Sequence, residues 1–294
     1  MTLPKPPAPF KPLRGVRVLS LALNLPGPAA LMRLNALGAK CNKLEPPTGD
    51  PMDLYSRGAY DTLHQGVKVV RADLRSEAGQ KRVHKLLSRT DVLLTSFRPS
   101  ALRKLGMDWA TLRKTWPALS QIDIVGSRGE RAEEPGHDLT YMAEHGLVQG
   151  LELPTSLFAD MSGSLMAVEA VMGAVLQQRV KGRGVHRQVA LGEAAAYLGL
   201  PYQWHMTTPG SAVGGGHAGY RIYACKDGRV AVAALEPHFA LALCQAVGIE
   251  TVDRHTMMAT GTHEAIARFL RGQTRRALDV LAAKRDIPLF TLKD

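Results

Sequence analysis

An aspartate, a histidine and a glutamate are the side chains of this sequence best suited to attack a substrate or to move a proton. His137 follows a Pro-Gly pair, where a loop can bring an imidazole that titrates near neutrality against a ligand. Asp160 lies in the segment FADMSGS, four residues before a long apolar pattern of helical period, and could act as a nucleophile or as a general acid and base. Glu236 ends the apolar run VAVAAL, where a carboxylate can point from a strand into a cleft.

Each of these residues also fits a structural role, and the residue types alone do not choose between the two. Asp138 would cap the following helix and leave the neighbouring His137 on a surface loop. Asp160 would itself be a helix cap. Glu236 would simply face solvent.

Two basic residues follow predicted strands in positions that suit phosphate. Arg98, in the segment SFRP, comes at the carboxyl end of a strand, the edge at which open α/β sheets bind ligands. Its guanidinium group suits phosphate, although a surface salt bridge explains it equally well. Lys43, late in another strand, is interpreted in the same way. Gly215 and Gly216 belong to a glycine-rich stretch, 210–219, which we expect to be mobile and which forms either an active-site flap or a plain loop.

The elements that must position these residues follow an alternating pattern. Short runs rich in Val, Leu and Ile alternate with helical patterns, which predicts an α/β fold with a Rossmann-like, doubly wound parallel sheet. Gly27 lacks the partner glycines of a GxGxxG turn, so a dinucleotide fingerprint is absent. The predicted strands are 15–23, 39–44, 67–74, 91–97, 119–125 and 185–191, and the predicted helices are 29–37, 76–87, 100–105 and 164–179.

The sequence divides into three predicted parts. Residues 1–13 hold five prolines and should form an extended arm. Residues 14–199 form the Rossmann-like domain with a long central helix. Residues 200–294 form a smaller α+β domain, with a hairpin that turns at Asp227-Gly228 and with helices at 238–247 and 263–284.

Composition restricts the class of partner. The 294 residues carry a net charge of +11, which favours anionic ligands. Basic residues are dispersed and aromatic residues make up only 5%, which argues against nucleic acid. The apolar stretches fall short of the roughly 20 residues that span a bilayer, and no secretory signal is visible. Three cysteines without metal-like spacing indicate no metal site and a reduced compartment. We therefore expect a cytoplasmic protein with no nucleic-acid or membrane partner.

The order of the motifs along the chain is more specific than any one of them. GVRVLSLALNLPGPAALMRLNALGAKCNKLEPPTGDP is followed by RADLRSEAGQKRVHKLLSRTDVLLTSFRPSALRKLGM, and then by PGHDLTYMAEHGL, ADMSG and ALEPHF. In this order, over about residues 14–245, the chain resembles the family III CoA-transferases, a superfamily that also contains α-methylacyl-CoA racemase.

The resemblance implies a two-domain enzyme that forms an interlaced homodimer and uses a coenzyme A thioester as substrate, with no permanently bound cofactor. Lys43 and Arg98 match positions that contact the CoA phosphates or adenine. Asp160 matches the aspartate that attacks the acyl-CoA in the transferases. His137, Asp160 and Glu236 match the proton-transfer residues of the racemase branch. Backbone N–H groups around Gly163 and in the loop of Gly215 and Gly216 would stabilise oxyanions.

The chain also departs from the family pattern. Gln65-Gly66-Val67-Lys68 stands where a basic Arg-Gly-Lys-Arg is usual, which weakens the expected phosphate clamp. The segment between His137 and Asp160 is short, and the sequence ends after the segment PLFTL, where family members usually continue. We expect first a CoA-transferase that acts on an acyl-CoA and a carboxylic acid, and second a racemase. A non-catalytic CoA-binding subunit that pairs with a paralogous chain is the third alternative.

Overall fold

The computed structural model describes residues 10–250 and 252–293. The strands in these residues are β1 Arg17–Ser20, β2 Lys40–Glu45, β3 Lys68–Arg71, β4 Val92–Thr95, β5 Ser120–Val125, β6 His186–Ala190, β7 Tyr220–Cys225, β8 Gly228–Ala233 and β9 Leu289–Leu292. The helices are α1 Pro26–Ala36, α2 Pro51–Tyr55, α3 Arg57–Leu63, α4 Glu77–Leu87, α5 Pro99–Lys104, α6 Trp109–Thr115, α7 Asp138–Glu144, α8 Phe158–Lys181, α9 Leu191–Gln203, α10 Pro237–Val247, α11 Arg254–Met258, α12 Thr260–Arg271 and α13 Arg275–Arg285.

The chain forms two compact units, Met1–Gly199 and Leu200–Asp294. Residues 1–9 of the predicted extended arm lie outside the described residues. The end of that arm is folded rather than extended, because 12–15 form a turn and Leu13 is buried with its N–H bonded to the Leu37 carbonyl at 3.0 Å.

The first unit is built on a six-stranded sheet of order β3-β2-β1-β4-β5-β6, in which every pair is parallel. This is the strand order of the doubly wound Rossmann-like fold, so the predicted fold class is confirmed. The strand order reverses between β1 and β4, where the chain crosses from one half of the sheet to the other. That position matters for function, because open α/β sheets bind ligands beyond the carboxyl ends of the strands at such a switch point.

Alternate residues of the central strands face two separate cores, as the period of two in a strand requires. Val18 of β1 and Leu94 of β4 pack with α1 and α8 on one face. Leu19 and Leu93, the neighbours of these residues, pack with α4, α5 and α6 on the other face. Both faces of the sheet are therefore covered, which explains why β4 and β5 are buried at every residue.

The long helix α8 begins six residues before the predicted helix and includes Asp160. Its buried face packs against α1, α7, β4, β5 and β6. Among the described residues it is the one helix long and apolar enough to cross a membrane by length and composition, and that buried face lies in the core of the first unit. Its opposite face carries an exposed apolar row, here named the outer stripe, formed by Phe158, Met161, Leu165, Leu176 and Val180.

The second unit has a three-stranded antiparallel sheet of order β7-β8-β9 with a core of its own. The predicted hairpin is present, but Cys225 pairs with Gly228, so its turn is Lys226-Asp227 rather than Asp227-Gly228. The helix predicted over 263–284 is two helices, α12 and α13. Strand β9, which the sequence analysis did not predict, completes the sheet.

Candidate active site

A cleft of about 190 Å³ opens at the carboxyl edge of the parallel sheet, where the strand order reverses. Its walls come from the segments that follow β1, β4 and β5 and from the first turns of α7 and α8. Arg98, His137 and Asp160 all line it. The cavity is smaller than the roughly 300–1,000 Å³ of most small-molecule sites, so it suits the reacting end of a ligand rather than a large molecule as a whole.

Asp160 is the half-buried carboxylate of this cleft. It is the third residue of α8, so it is not the helix cap; Leu157 holds that position and makes no side-chain capping bond. Burial raises the pKa of Asp160 to about 6, and the nearby Asp138 carboxylate contributes to the rise. The positive end of the helix dipole favours the ionised form but does not offset these two effects. A carboxylate that titrates near neutrality can serve as a nucleophile or exchange a proton.

Asp138 connects the two helices that carry the candidate catalytic residues. It is buried at the start of α7, and its Oδ1 accepts the backbone N–H of Asp160 at 2.9 Å. The prediction that Asp138 caps its own helix is therefore wrong, because its side chain caps α8 instead. The start of α7 is fixed by Thr140, whose hydroxyl accepts the N–H of His137 at 3.1 Å and donates to the His137 carbonyl at 2.7 Å. The His137 residue is exposed at the cleft.

Arg98 lies at the N-cap of α5, directly after the end of β4. It is exposed, and among the described residues it takes part in no ion pair, so the salt-bridge alternative is not found there. Glu133 accepts both the N–H and the hydroxyl of Ser100 at 2.7 Å, which fixes the first turn of α5. The guanidinium group therefore stands on a fixed helix start that lines the cleft.

Tyr141 forms part of the cleft wall, and its hydroxyl group leaves room only for glycine at two neighbouring positions. A Cβ on Gly126 would lie 2.2 Å from the Tyr141 hydroxyl oxygen, and one on Gly136 would lie 2.5 Å from it. Burial raises the pKa of Tyr141, and the Asp160 charge adds to that rise. The sequence analysis missed Tyr141. Its signal was present in the spacing of PGHDLTY, which places Tyr141 one helical turn after His137.

A side chain that binds a phosphate group must be accessible to the ligand, and the Lys43 side chain is not. Its side chain is fully buried, and its Nζ pairs with Asp50 and lies 3.2 Å from Glu45 Oε1 and 2.8 Å from His64 Nε2. The prediction that Lys43 meets a CoA phosphate therefore does not fit this arrangement. The three acceptor groups could together hold a metal ion by their spacing, but the ammonium group of Lys43 already lies among them.

Gly163 has a packing role within α8. A Cβ at Gly163 would lie 2.3 Å from Leu191 Cδ2, so the missing side chain allows α9 to pack closely. As the sixth residue of α8, Gly163 lies beyond the first turn whose N–H groups lack a helical partner. The expected oxyanion contact from its N–H is therefore not available.

Glu236, Gly215 and Gly216 belong to the second unit. Glu236 is exposed at the N-cap of α10 and makes no capping bond with its side chain. Gly215 has φ of +91°, and the N–H of Gly216 bonds to the Ser211 carbonyl at 2.8 Å. His263 Nε2 lies 2.8 Å from the Gly216 carbonyl oxygen. The stretch that we expected to be mobile is thus hydrogen-bonded in place, and the catalytic roles of these three residues stay predictions.

Comparison with known proteins identifies the family. A family model described as CoA-transferase family III matches residues 13–294. The chain belongs to CoA-transferase family III.

Relatives of the chain include a protein named as a CoA-transferase and one named as a racemase. The chain is 31% identical over 211 residues to a cinnamoyl-CoA:phenyllactate CoA-transferase of Clostridium sporogenes, which covers 64% of this chain and 51% of that protein. It is 29% identical over 267 residues to an α-methylacyl-CoA racemase of Mus musculus, with 84% of this chain and 68% of that protein covered. The chain thus spans about half the length of the clostridial transferase that it matches.

A solved structure agrees with the fold. The crystal structure of a hypothetical protein of Mycobacterium tuberculosis, Rv3272, matches with a TM-score of 0.82 at 25% identity, and covers 96% of this chain and 83% of that chain.

Proposed function

We propose that this chain carries a CoA-transferase activity that moves CoA from an acyl-CoA thioester to a carboxylic acid, with Asp160 as the nucleophile. The observation that carries the proposal is the Asp160 carboxylate itself, half-buried at the switch point of the sheet with a pKa raised to about 6. A poorly solvated carboxylate in a cleft that a guanidinium group also lines is suited to attack the carbonyl carbon of a bound thioester.

In the proposed reaction, each step breaks one bond to an acyl carbon and forms another. An Asp160 oxygen attacks the thioester carbonyl carbon, the C–S bond breaks, and CoA leaves as the thiolate while the acyl group stays on Asp160 as a mixed anhydride. The thiolate attacks the Asp160 carbonyl carbon, which releases the first acid as a carboxylate and forms an aspartyl-CoA thioester. The acceptor carboxylate attacks the carbonyl carbon of that thioester, and the thiolate leaves as a second mixed anhydride forms between Asp160 and the acceptor. The thiolate then attacks the acceptor carbonyl carbon, which forms the new acyl-CoA and frees the Asp160 carboxylate. Protons balance, because no step gains or loses one.

The other residues of the cleft have supporting roles in this proposal. Arg98 binds a phosphate group of CoA, because a guanidinium group forms paired hydrogen bonds with phosphate. The buried Asp138 holds the first turn of α8, and so fixes the position of Asp160. His137 lines the acyl end of the cleft without taking part in the exchange.

A racemase is the second candidate, and one observation favours it. His137 and Asp160 line the same cleft, so one could remove the proton next to the thioester while the other returns one to the opposite face. The Mus musculus relative is named for that reaction.

One experiment separates the two reactions. The purified protein is incubated in D₂O with a 2-methylacyl-CoA and the corresponding ¹³C-labelled acid. Label that enters the thioester indicates transfer, and deuterium at the α-carbon indicates racemisation. We expect transfer without α-deuterium, loss of transfer in Asp160→Asn, and near-native transfer in His137→Ala.

The opposite pattern would contradict the proposal. If His137→Ala and Asp160→Asn both lower the rate by about 10²-fold or more and α-deuterium accumulates, the activity is a racemase. If the protein binds CoA tightly but neither label moves, the chain is a non-catalytic subunit. A panel of acyl-CoAs with their own acids, run in the same way, guards against a poor choice of acyl group.

We also propose that the chain forms a homodimer and acts in the cytoplasm. The outer stripe of α8 supports a partner surface, because Leu176 and Val180 are 61% and 84% exposed on a helix that otherwise packs in the core. The three cysteines are free and buried, which fits a reduced compartment.

A further inference from the structure

A buried network of charges lies beside the cleft and takes no part in the proposed reaction. Its centre is the Lys43 ammonium group, which has three N–H donors. Those donors meet Asp50, Glu45 Oε1 at 3.2 Å and His64 Nε2 at 2.8 Å. Each of these residues is buried, and the Lys43 side chain has no solvent contact. The donors of the ammonium group are therefore all matched by acceptors from three separate segments of the chain.

The state of His64 is fixed by its neighbours. Burial lowers the pKa of His64, and the charge of Lys43 lowers it further. The neutral ring accepts from Lys43 through Nε2, so the proton resides on Nδ1, which lies 2.6 Å from the Tyr60 carbonyl oxygen. Tyr60 in turn donates its hydroxyl to Glu45 Oε1 at 2.9 Å. On the side of α3, Tyr60 therefore links His64 back to Glu45.

On its other side the network reaches the wall of the cleft through Asp50. The two carboxylate oxygens of Asp50 accept the backbone N–H of Asn24 at 3.1 and 3.2 Å, and Oδ1 also accepts the N–H of Met52 at 3.0 Å. Asn24 lines the cleft and has φ of +62°, in the left-handed region that residues other than glycine seldom adopt. A left-handed residue of this kind persists only where its surroundings hold it in place.

We infer that Lys43 and Asp50 are positioning residues for the ligand cleft, in which the buried ion pair holds the Asn24 turn in the left-handed conformation that shapes the CoA-binding wall. The inference rests on the proposed function for the identity of the ligand. Asp50 accepts two backbone N–H groups while it also meets Lys43. Burying a carboxylate in the dry interior is costly unless a cation and hydrogen-bond donors are matched to it, and Lys43 supplies the cation.

The first test compares two buried carboxylates of the first unit, Asp50 at the N-cap of α2 and Asp123 in β5. Asp50→Asn keeps the size of the side chain and removes the charge that Lys43 needs. Asp123→Asn is the matched control, because Asp123 is also buried and pairs with His186 at 2.7 Å but does not line the cleft. We measure the dissociation constant of CoA by calorimetry and the urea midpoint of unfolding for the wild type and both variants.

Both variants should lower the urea midpoint, whereas only Asp50→Asn should weaken CoA binding, by about tenfold or more, because displaced binding groups lose affinity steeply. CoA affinity in folded Asp50→Asn equal to that of the wild type would overturn the inference and leave the proposed function intact. An equal loss of affinity in Asp123→Asn would also overturn it, since the effect would then be general. A wild type that does not bind CoA would overturn both.

A second pair of variants tests the turn without removing a buried charge. Asn24→Gly and Asn24→Ala both delete the side chain, but only glycine adopts φ of +62° without strain. CoA should bind more weakly to Asn24→Ala than to Asn24→Gly. Equal affinities of these two variants would contradict a role for the left-handed backbone, even if Asp50→Asn fails to fold.

Discussion

The Asp160 carboxylate is held in surroundings that disfavour its charge. Burial and the neighbouring Asp138 raise its pKa to about 6, from an ordinary value of 3.8. In the unfolded chain the group ionises freely, so the folded protein is destabilised at every pH at which Asp160 must be charged. The site thus trades stability for reactivity, as functional sites commonly do.

Asp160→Asn should therefore stabilise the protein while it abolishes transfer. At pH 8 we expect the free energy of unfolding to rise by about 1–2 kcal/mol, less than the full pKa difference implies because the side chain is partly solvated. The gain should shrink as the pH falls through 6 and vanish below about 4, where the folded and unfolded forms are both protonated. Urea unfolding at several pH values measures it. A gain that does not depend on pH would contradict this explanation.

The rate of transfer should follow the ionisation of the same group. Because the nucleophile is the ionised carboxylate, the rate at saturating substrate should rise through about pH 6 and reach a plateau above pH 7. A pH profile in buffers of constant ionic strength checks this. A rate that falls from pH 5 to pH 7 would show that the protonated form is the active one.

Arg98→Ala should weaken CoA binding by about 1.5–3 kcal/mol, the value of a hydrogen bond to a charged group. The loss should be largest at low salt, since screening weakens the contact. Arg113→Ala is the control, because Arg113 lies on α6 and does not line the cleft. Calorimetric titration of CoA at two salt concentrations gives both results, and an unchanged affinity at low salt would remove Arg98 from the site.

At the scale of single residues, the sequence predicted which residues line the cleft better than it predicted which way a side chain points. Arg98, His137 and Asp160 were predicted and lie in one cleft. Lys43 was assigned to phosphate from its place late in a strand, but position along a strand does not show whether a side chain faces solvent or the carboxylates of Asp50 and Glu45. That choice depends on residues that are distant along the chain, such as His64.

At the scale of elements, the error at the start of α8 has a physical cause. The N-cap, Leu157, offers no side-chain acceptor, so no local capping signal marks the helix start. The acceptor comes from Asp138, more than twenty residues earlier in the chain, which bonds the N–H of Asp160. A cap supplied by tertiary structure leaves no trace in the local sequence.

Two glycines in helices should respond in opposite ways to alanine. A Cβ on Gly27 in the first turn of α1 would lie 2.1 Å from Ala22 Cβ, which cannot move without the backbone, whereas a Cβ on Gly173 in α8 would meet open space. Gly27→Ala should lower the free energy of unfolding by about 1–3 kcal/mol through overpacking. Gly173→Ala should raise it by about 0.5–1 kcal/mol, because alanine favours the helix. Denaturant unfolding of both variants measures these changes in the free energy of unfolding. A Gly27→Ala variant more stable than the wild type would contradict the close approach of Gly27 to Ala22.

At the scale of the whole molecule, the alternation of strands and helices was sufficient to predict the parallel sheet. The runs VLSLAL and DVLLTSF, rich in Leu and Val, placed two of the central strands, because near-continuous apolar runs mark strands that are buried on both faces. Strand β9 could not be found in this way, since its residues are half-exposed and it is held by pairing with β8.

Charge placed on the outer stripe of α8 should separate the proposed dimer. Leu176→Asp or Val180→Asp should convert a dimer to a monomer by light scattering, because a desolvated carboxylate at an apolar interface is costly. Val280→Asp is the control, since Val280 is 62% exposed on α13 of the second unit and is not part of that stripe. A wild type that is already a monomer at micromolar concentration, or stripe variants that stay dimeric, would contradict the interface.

The central claim is that Asp160 carries the CoA group covalently, and mass spectrometry of the protein tests it most directly. The wild type and Asp160→Asn are incubated with an acyl-CoA without acceptor acid, quenched in acid, digested and analysed. We predict that CoA is attached by a thioester to the wild-type peptide that contains Asp160, that it disappears when the acceptor acid is added before quenching, and that it is absent in Asp160→Asn. An active wild type that exchanges label between acyl-CoA and acid with no adduct on that peptide would contradict the account.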